Sequence, residues 1–487
     1  MNPRIALLCL FPLFWTATEA DAQADVSECW RSAPGELPSL AADGTLGAAS
    51  IPWYEWSPMV MRADRPNAQP MQFRVKVDNG PATQVRLQLS GGGPLITLLD
   101  NGVAPDVTAG DTIFSGNVSP DDIRARNSAD RVWRPIIGTA AGFDGSGAIT
   151  GNLNVIGAVL PTGVSFPVTS FSATQQATAY VYNVRDDAFG TDFNDQRVIQ
   201  NLYTRFRDAY EFADVVFTPR NYVQNRNHGR IRNSVTGIGM AALDAGASYG
   251  STAKLLGRSV FPNLAFYDPV NSGYSHELGH QWINALGGVL ADSRPGSHWP
   301  VSPIANAVMG FSNSANAGSN LNCNLVRTGA SSATATPLTH SSNYNAFELY
   351  LMGLVPPASV PQSFTFNDQA AALTLLNNVN WCSGTISLAN TLVDANTIIG
   401  LHGARSPAST VSDKFYNVAT IAVSVGRLLT ADELAFVSAF AQRAMLRGNQ
   451  GWSEGLVQGT GPTFNAASGN RAWLDTRLDG FFYSDFE

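Results

Sequence analysis

Two hydrophobic rhythms divide this chain. From about residue 51 to residue 171, short apolar stretches alternate with turn residues. Met71-Gln72-Phe73-Arg74-Val75-Lys76-Val77 and Val85-Arg86-Leu87-Gln88-Leu89 have the two-residue period of half-buried strands. Asn79-Gly80, between them, is a strong turn signal. Several strands at regular spacing, with no helical stretch, predict an antiparallel β-sandwich of immunoglobulin-like type. After Phe171-Ser172-Ala173-Thr174 the patterning becomes mixed α/β. Val198, Leu202, Phe206 and Ala209 or Tyr210 fall at helical spacing across 195–212, and Val215-Val216-Phe217 reads as a strand. Thr430 with Glu433 forms a capping box; it opens a helix carrying Leu434, Val437, Phe440, Ala441 and Met445 that stops at Gly448. The expected division is an N-terminal segment at 23–50, the sandwich at 51–172, an α/β domain at 173–460 and a tail at 461–487.

A third pattern changes the picture. Across 273–286, Leu278, Trp282, Ala285 and Leu286 form one apolar stripe, while His276, His280 and Asn284 run down another side. That is an amphipathic helix lining a cleft, with Gly287-Gly288 as its stop. Residues 258–267 read as a strand and turn leading into it. Within it stands His276-Glu277-Leu278-Gly279-His280, whose histidines sit one turn apart on one face. Two neutral imidazoles so placed can bind one Zn²⁺ at about 2.0–2.1 Å each. Glu277 projects beside them, where its carboxylate can take a proton from a metal-activated water. The chain has only 6 histidines, so a chance match is improbable. The plain alternative is a surface helix with a histidine pair.

Composition narrows the class. The formal charge of −8 and the lack of a Lys/Arg cluster argue against nucleic-acid binding. Arg4 followed by the apolar run from Ile5 to Trp15 reads as a signal peptide, residues 1–22, with a cleavage site at Ala20-Asp21-Ala22. That run is too short to span a membrane, and no long apolar run follows, so a soluble secreted, periplasmic or cell-surface protein is expected. Cys9 leaves with the signal. Of Cys29, Cys323 and Cys382, the natural pair in an oxidising compartment is Cys323–Cys382. Such a bond stabilises by roughly 4 kcal/mol in the chain-entropy model. Cys29 is then odd: free, otherwise paired, or a latency ligand. In the sandwich, Asp100, Asn101, Gly102, Asp106, Gly110 and Asp111 suit tight turns between strands, and they could also bind Ca²⁺. The segment resembles one that recurs in immunoglobulin-like modules of bacterial exported proteins.

Two histidines leave a zinc site short of one protein ligand and a water. The candidates are His298, His340, Glu348 and, behind them, Asp292 or His402; His228 has no motif around it. His298 lies in Gly296-Ser297-His298-Trp299 and is followed by Met309-Gly310. Here the chain resembles the metzincin metallopeptidases, leishmanolysin most closely, over roughly residues 258 to 312. The resemblance implies that His276, His280 and His298 ligate zinc, that Glu277 is the base and that Met309 forms a turn beneath the metal. The chain departs from the family at Ile283, where metzincins have the glycine that turns the chain towards the third ligand. Its helix is therefore expected to run on to Gly287. Phe311 stands where some members carry a tyrosine. In the gluzincin alternative Glu348, a lone carboxylate in Phe347-Glu348-Leu349-Tyr350-Leu351, is the third ligand; otherwise it is a hydrogen-bonded structural acid. The expectation is an exported zinc-dependent endopeptidase acting on proteins or peptides. The competing one is an exported adhesion or binding protein whose zinc is structural or vestigial.

Overall fold

A computed structural model describes residues 50–62, 70–80, 82–89, 96–118, 132–139, 142–143, 153–154, 159–160, 163–222, 226–262, 266, 273–283, 285–291, 298–310, 323–338, 341–376, 382–447 and 462–478. The signal peptide, Cys29, Asn284, Asp292, Phe311 and His340 lie outside these residues.

The N-terminal part contains two antiparallel sheets. In the first, Trp53–Ser57 pairs with Met71–Lys76, which pairs with Ile113–Val118. In the second, Gln84–Leu89 lies between Ile96–Leu98 and Val132–Thr139. Alternation in Met71–Lys76 is clean, with Met71, Phe73 and Val75 buried. Asn79 and Gly80 both have positive φ, yet they do not close a hairpin: the strands on either side go to different sheets. Val85 and Leu98 of the second sheet share a core with Phe73, Val75 and Phe114 of the first.

The second part is built on an eight-stranded sheet. Val181–Arg185, Phe415–Ser424, Phe212–Phe217 and Gly257–Phe261 run parallel in that order. Asn227–Arg230 adds antiparallel at one edge, beside Gly257–Phe261. Gln175–Ala177 and Thr169–Ser172 add antiparallel at the other. The parallel strands are buried on both faces, as Phe212–Phe217 shows by having every residue buried. Ala213, Val215 and Phe217 point to the helix Asp195–Leu202, packing with Val198, Ile199 and Leu202. Phe212 points the other way, with its ring 5.7 Å from that of Trp282.

Two expected boundaries move. Thr169–Ser172 belongs to the second sheet, so the chain leaves the first part before residue 172. Residues 462–478 are not a tail. Thr463 caps the short helix Phe464–Ala467, and Trp473–Asp475 pairs with Phe415–Ser424, burying Phe464 and Leu474. The two parts are also not separate. Asn221–Tyr222 pairs with Trp53–Ser57, and Val216, Phe261 and Leu434 share a core with Trp56 and Phe73. The Glu433 carboxylate, held by Arg427, accepts the backbone N–H of Met59 at 2.9 Å. The capping box at Thr430 forms, and its helix spans Ala431–Ala444. Cys323 and Cys382 are joined, with Cα atoms 5.5 Å apart. No helix among the described residues is long and apolar enough to cross a membrane.

Candidate metal centre

The histidine helix spans Gly273–Gly279. It does not continue to Gly287. Its last turn tightens, with the N–H groups of His280, Gln281 and Trp282 donating to carbonyls three residues back. Side chains explain the stop. Gln281 turns inward, where its Nε2 donates to the Arg232 carbonyl at 2.9 Å and its Oε1 meets His228 Nε2 at 3.0 Å. Trp282 and Ile283 are buried against the sheet. The chain turns here with no left-handed residue at position 283.

His276 Nε2 lies 3.2 Å from His280 Nε2 and 2.9 Å from His298 Nε2. His340, the other histidine candidate, lies outside the described residues; His402 instead accepts the Gly287 N–H at 3.0 Å. His276 Nδ1 donates to the Val308 carbonyl at 2.8 Å, which orients the ring so that Nε2 faces the other two histidines. Burial pushes the His280 pKa well down, helped by the neighbouring histidines. Burial also pushes His298 down to about 4, with Arg226 contributing. These rings are therefore neutral at ordinary pH, the state in which imidazole is a ligand.

Met309 is fully buried beneath the helix. A Cβ on Gly279 would overlap its sulfur, so glycine inside the histidine motif is what lets the two segments touch. Three bonds hold this underside. His276 bonds Val308, the Trp299 N–H donates to the Gly310 carbonyl at 3.2 Å, and Glu348 takes the Met309 N–H at 3.3 Å. Glu348 also accepts from Trp299 Nε1 at 2.9 Å and closes a capping box with Asn345. Oε1 thus ties the segment after His298 to the Met309 turn, while Oε2 is taken by the Asn345 N–H. Burial pushes its pKa up to about 8 against those donors. Tyr344, buried, donates its hydroxyl to the Ser275 carbonyl and adds a further anchor for the helix.

Two charged residues near the site escaped the sequence reading. Arg226 Nε donates to Glu277 Oε1 at 2.8 Å. Burial raises the Glu277 pKa, and the Arg226 charge opposes that rise. Asp214 sits in the sheet under the helix with neither oxygen in a well-formed hydrogen bond, in register with Ser259 and Thr420 on the flanking strands. Burial pushes its pKa up to about 7, while Tyr274 and Ser259 pull it down. A lone acid within Phe212-Ala213-Asp214-Val215-Val216-Phe217 was the signal for it.

In the N-terminal part, Asp100, Asp106 and Asp111 bring carboxylate oxygens within 4.8 Å of one another, the same limit that the histidine trio meets. These oxygens are already engaged. Asp106 accepts the N–H groups of Asn101 and Gly102 at 2.6 Å and of Val107 at 2.9 Å. Asp100 accepts from Gly110 at 2.6 Å and Thr112 at 2.9 Å, and Asp111 accepts from Ile113 at 2.9 Å.

The histidine geometry suits a cation. Three ring nitrogens crowd together here, and His276 Nε2 cannot accept well from both neighbours at once. A tetrahedral ion with bonds of about 2.0–2.1 Å sets its ligand atoms roughly 3.3 Å apart, close to the spacing seen. Comparison of the chain with protein-family models, curated proteins and solved structures finds no match.

Proposed function

We propose that this protein is an exported zinc-dependent endopeptidase in which His276, His280 and His298 hold the metal and Glu277 is the general base. One observation carries the reading: three imidazoles converge through Nε2 beside a buried glutamate. A zinc ion held there would supply Lewis acidity, polarising a peptide carbonyl and acidifying water to a pKa of about 7. Glu277 takes a proton from the attacking water and returns it to the leaving amine nitrogen. Arg226 occupies Oε1, so Oε2 is the basic oxygen. The edge strand Asn227–Arg230 lies beside the helix through the His228–Gln281 bond, and its outer edge has no strand partner among the described residues. An extended peptide can pair along such an edge. The Cys323–Cys382 bond fits an oxidising compartment. The metzincin resemblance is part of this proposal, with Met309 as the turn beneath the metal. The gluzincin ligand set is disfavoured because Glu348 is spent on Trp299, Met309 and Asn345.

The Arg226–Glu277 bond favours a second reading, a zinc-holding binding protein without turnover. Glu277→Gln decides between the two. The proposal expects cleavage of unfolded casein to fall about 100- to 10,000-fold with zinc content and folding unchanged. Equal turnover by wild type and variant, or none by either across many substrates, would favour the binding protein.

A further inference from the structure

Arg226 is placed for more than pairing. It precedes the edge strand Asn227–Arg230, and its side chain is 30% exposed while that of Glu277 is 4% exposed. The guanidinium therefore reaches from the rim of the site to the buried base. It lies along the histidine helix over Gly273, where a Cβ would stand 3.2 Å from both Nε and Cζ. Its charge acts on His298 as well as on Glu277, lowering the pKa of both. Among the described residues only its Nε is hydrogen bonded, which leaves the Nη groups as donors. Arg258, the other cation acting on Glu277, is bound to Asp195 and Asn227 instead.

We propose that Arg226 is the oxyanion-stabilising residue of this site: Nε keeps Glu277 in place while the Nη groups donate to the peptide carbonyl oxygen as it becomes negative. The inference rests on the peptidase reading. The water oxygen bonds to the carbonyl carbon, Glu277 takes one water proton, and the carbonyl oxygen carries the displaced electron pair. Collapse re-forms the carbonyl, breaks the C–N bond and passes that proton to the amine nitrogen. A fixed donor at the place where this charge appears acts on the transition state rather than on the bound substrate.

The test compares wild type, Arg226→Ala, Arg226→Gln and Glu277→Gln on one casein-derived peptide, with zinc content and circular dichroism recorded for each. The Arg226 variants should keep zinc and KM and lose roughly 100-fold in kcat, the loss typical of one oxyanion donor. Guanidinium ion added to Arg226→Ala should restore part of the rate, which a purely structural role would not allow. A phosphinic peptide, whose oxygens stand where the oxyanion forms, should bind the variants more weakly by a similar factor. Wild-type kcat in the variants overturns the inference. So does a rise in KM with kcat intact, which would make Arg226 a substrate anchor. If wild type cleaves and Glu277→Gln does not, such results remove the role of Arg226 alone. A wild type without zinc and without turnover removes the peptidase reading, and this inference with it.

Discussion

The histidine trio and the aspartate trio each bring three possible ligand atoms within 4.8 Å of one another, yet they differ in what those atoms are already doing. The histidine nitrogens face one another, with the His276 tautomer set by the Val308 carbonyl. The aspartate oxygens take backbone N–H groups from the loops around them, as acids in tight turns do. Proximity alone does not make a metal site. Lone pairs must be left over after the fold has used what it needs.

Several measurements would break or sharpen that contrast. The largest effect is expected for His280→Ala, which removes one of the three proposed protein ligands. Its zinc affinity, measured by competition with a chelator, should fall by more than the roughly 10- to 100-fold lost with a supporting residue. Glu348→Ala is that supporting case. It frees Trp299 and Met309 without removing a ligand, so zinc affinity or activity should drop by about 10- to 100-fold. A complete loss of zinc in folded Glu348→Ala would restore it as a ligand. Asp106→Ala should leave zinc untouched and cost about 1–3 kcal/mol in urea unfolding, the penalty for orphaned backbone donors. Added Ca²⁺ should not raise the wild-type Tm; a rise that Asp106→Ala abolishes would show the acidic trio to be a cation site.

The smallest effect concerns pH. Asp214 has its pKa raised from 3.8 to about 7 by burial. Between those values the folded state keeps a proton that the unfolded chain has released. Its contribution is therefore full below about pH 4 and is lost as pH rises through 7. In metal-free protein, Asp214→Asn should raise the Tm at pH 8 more than at pH 5. An equal change at both would mean that Asp214 is not held neutral by the fold.

Local signals were legible in the sequence and long-range ones were not. The histidine helix was legible near Leu278, while Trp282 and Leu286 of the expected stripe are buried but lie beyond its end at Gly279. The capping box at Thr430 is likewise a matter of neighbouring residues. The end of the histidine helix was misread because Gln281 bonds to His228 and Arg232, which no local pattern reveals. The Asn79-Gly80 turn was visible, but which sheets its flanking strands join depends on partners far along the chain. The parallel sheet was hidden for the same reason, since Phe415–Ser424 pairs with strands some two hundred residues earlier. Glu348 was noticed as an acid among apolar residues, and its partners resolve the choice between ligand and brace. Arg226 carries no signature at all, standing 51 residues from the glutamate it touches.

The central claim is that His276, His280 and His298 hold one metal ion. Elemental analysis of wild type and His298→Ala, side by side after zinc reconstitution and dialysis, tests it most directly. The account predicts about one zinc per wild-type chain and a large deficit in the variant, with both folded. No zinc in wild type, or equal zinc in both, would contradict it.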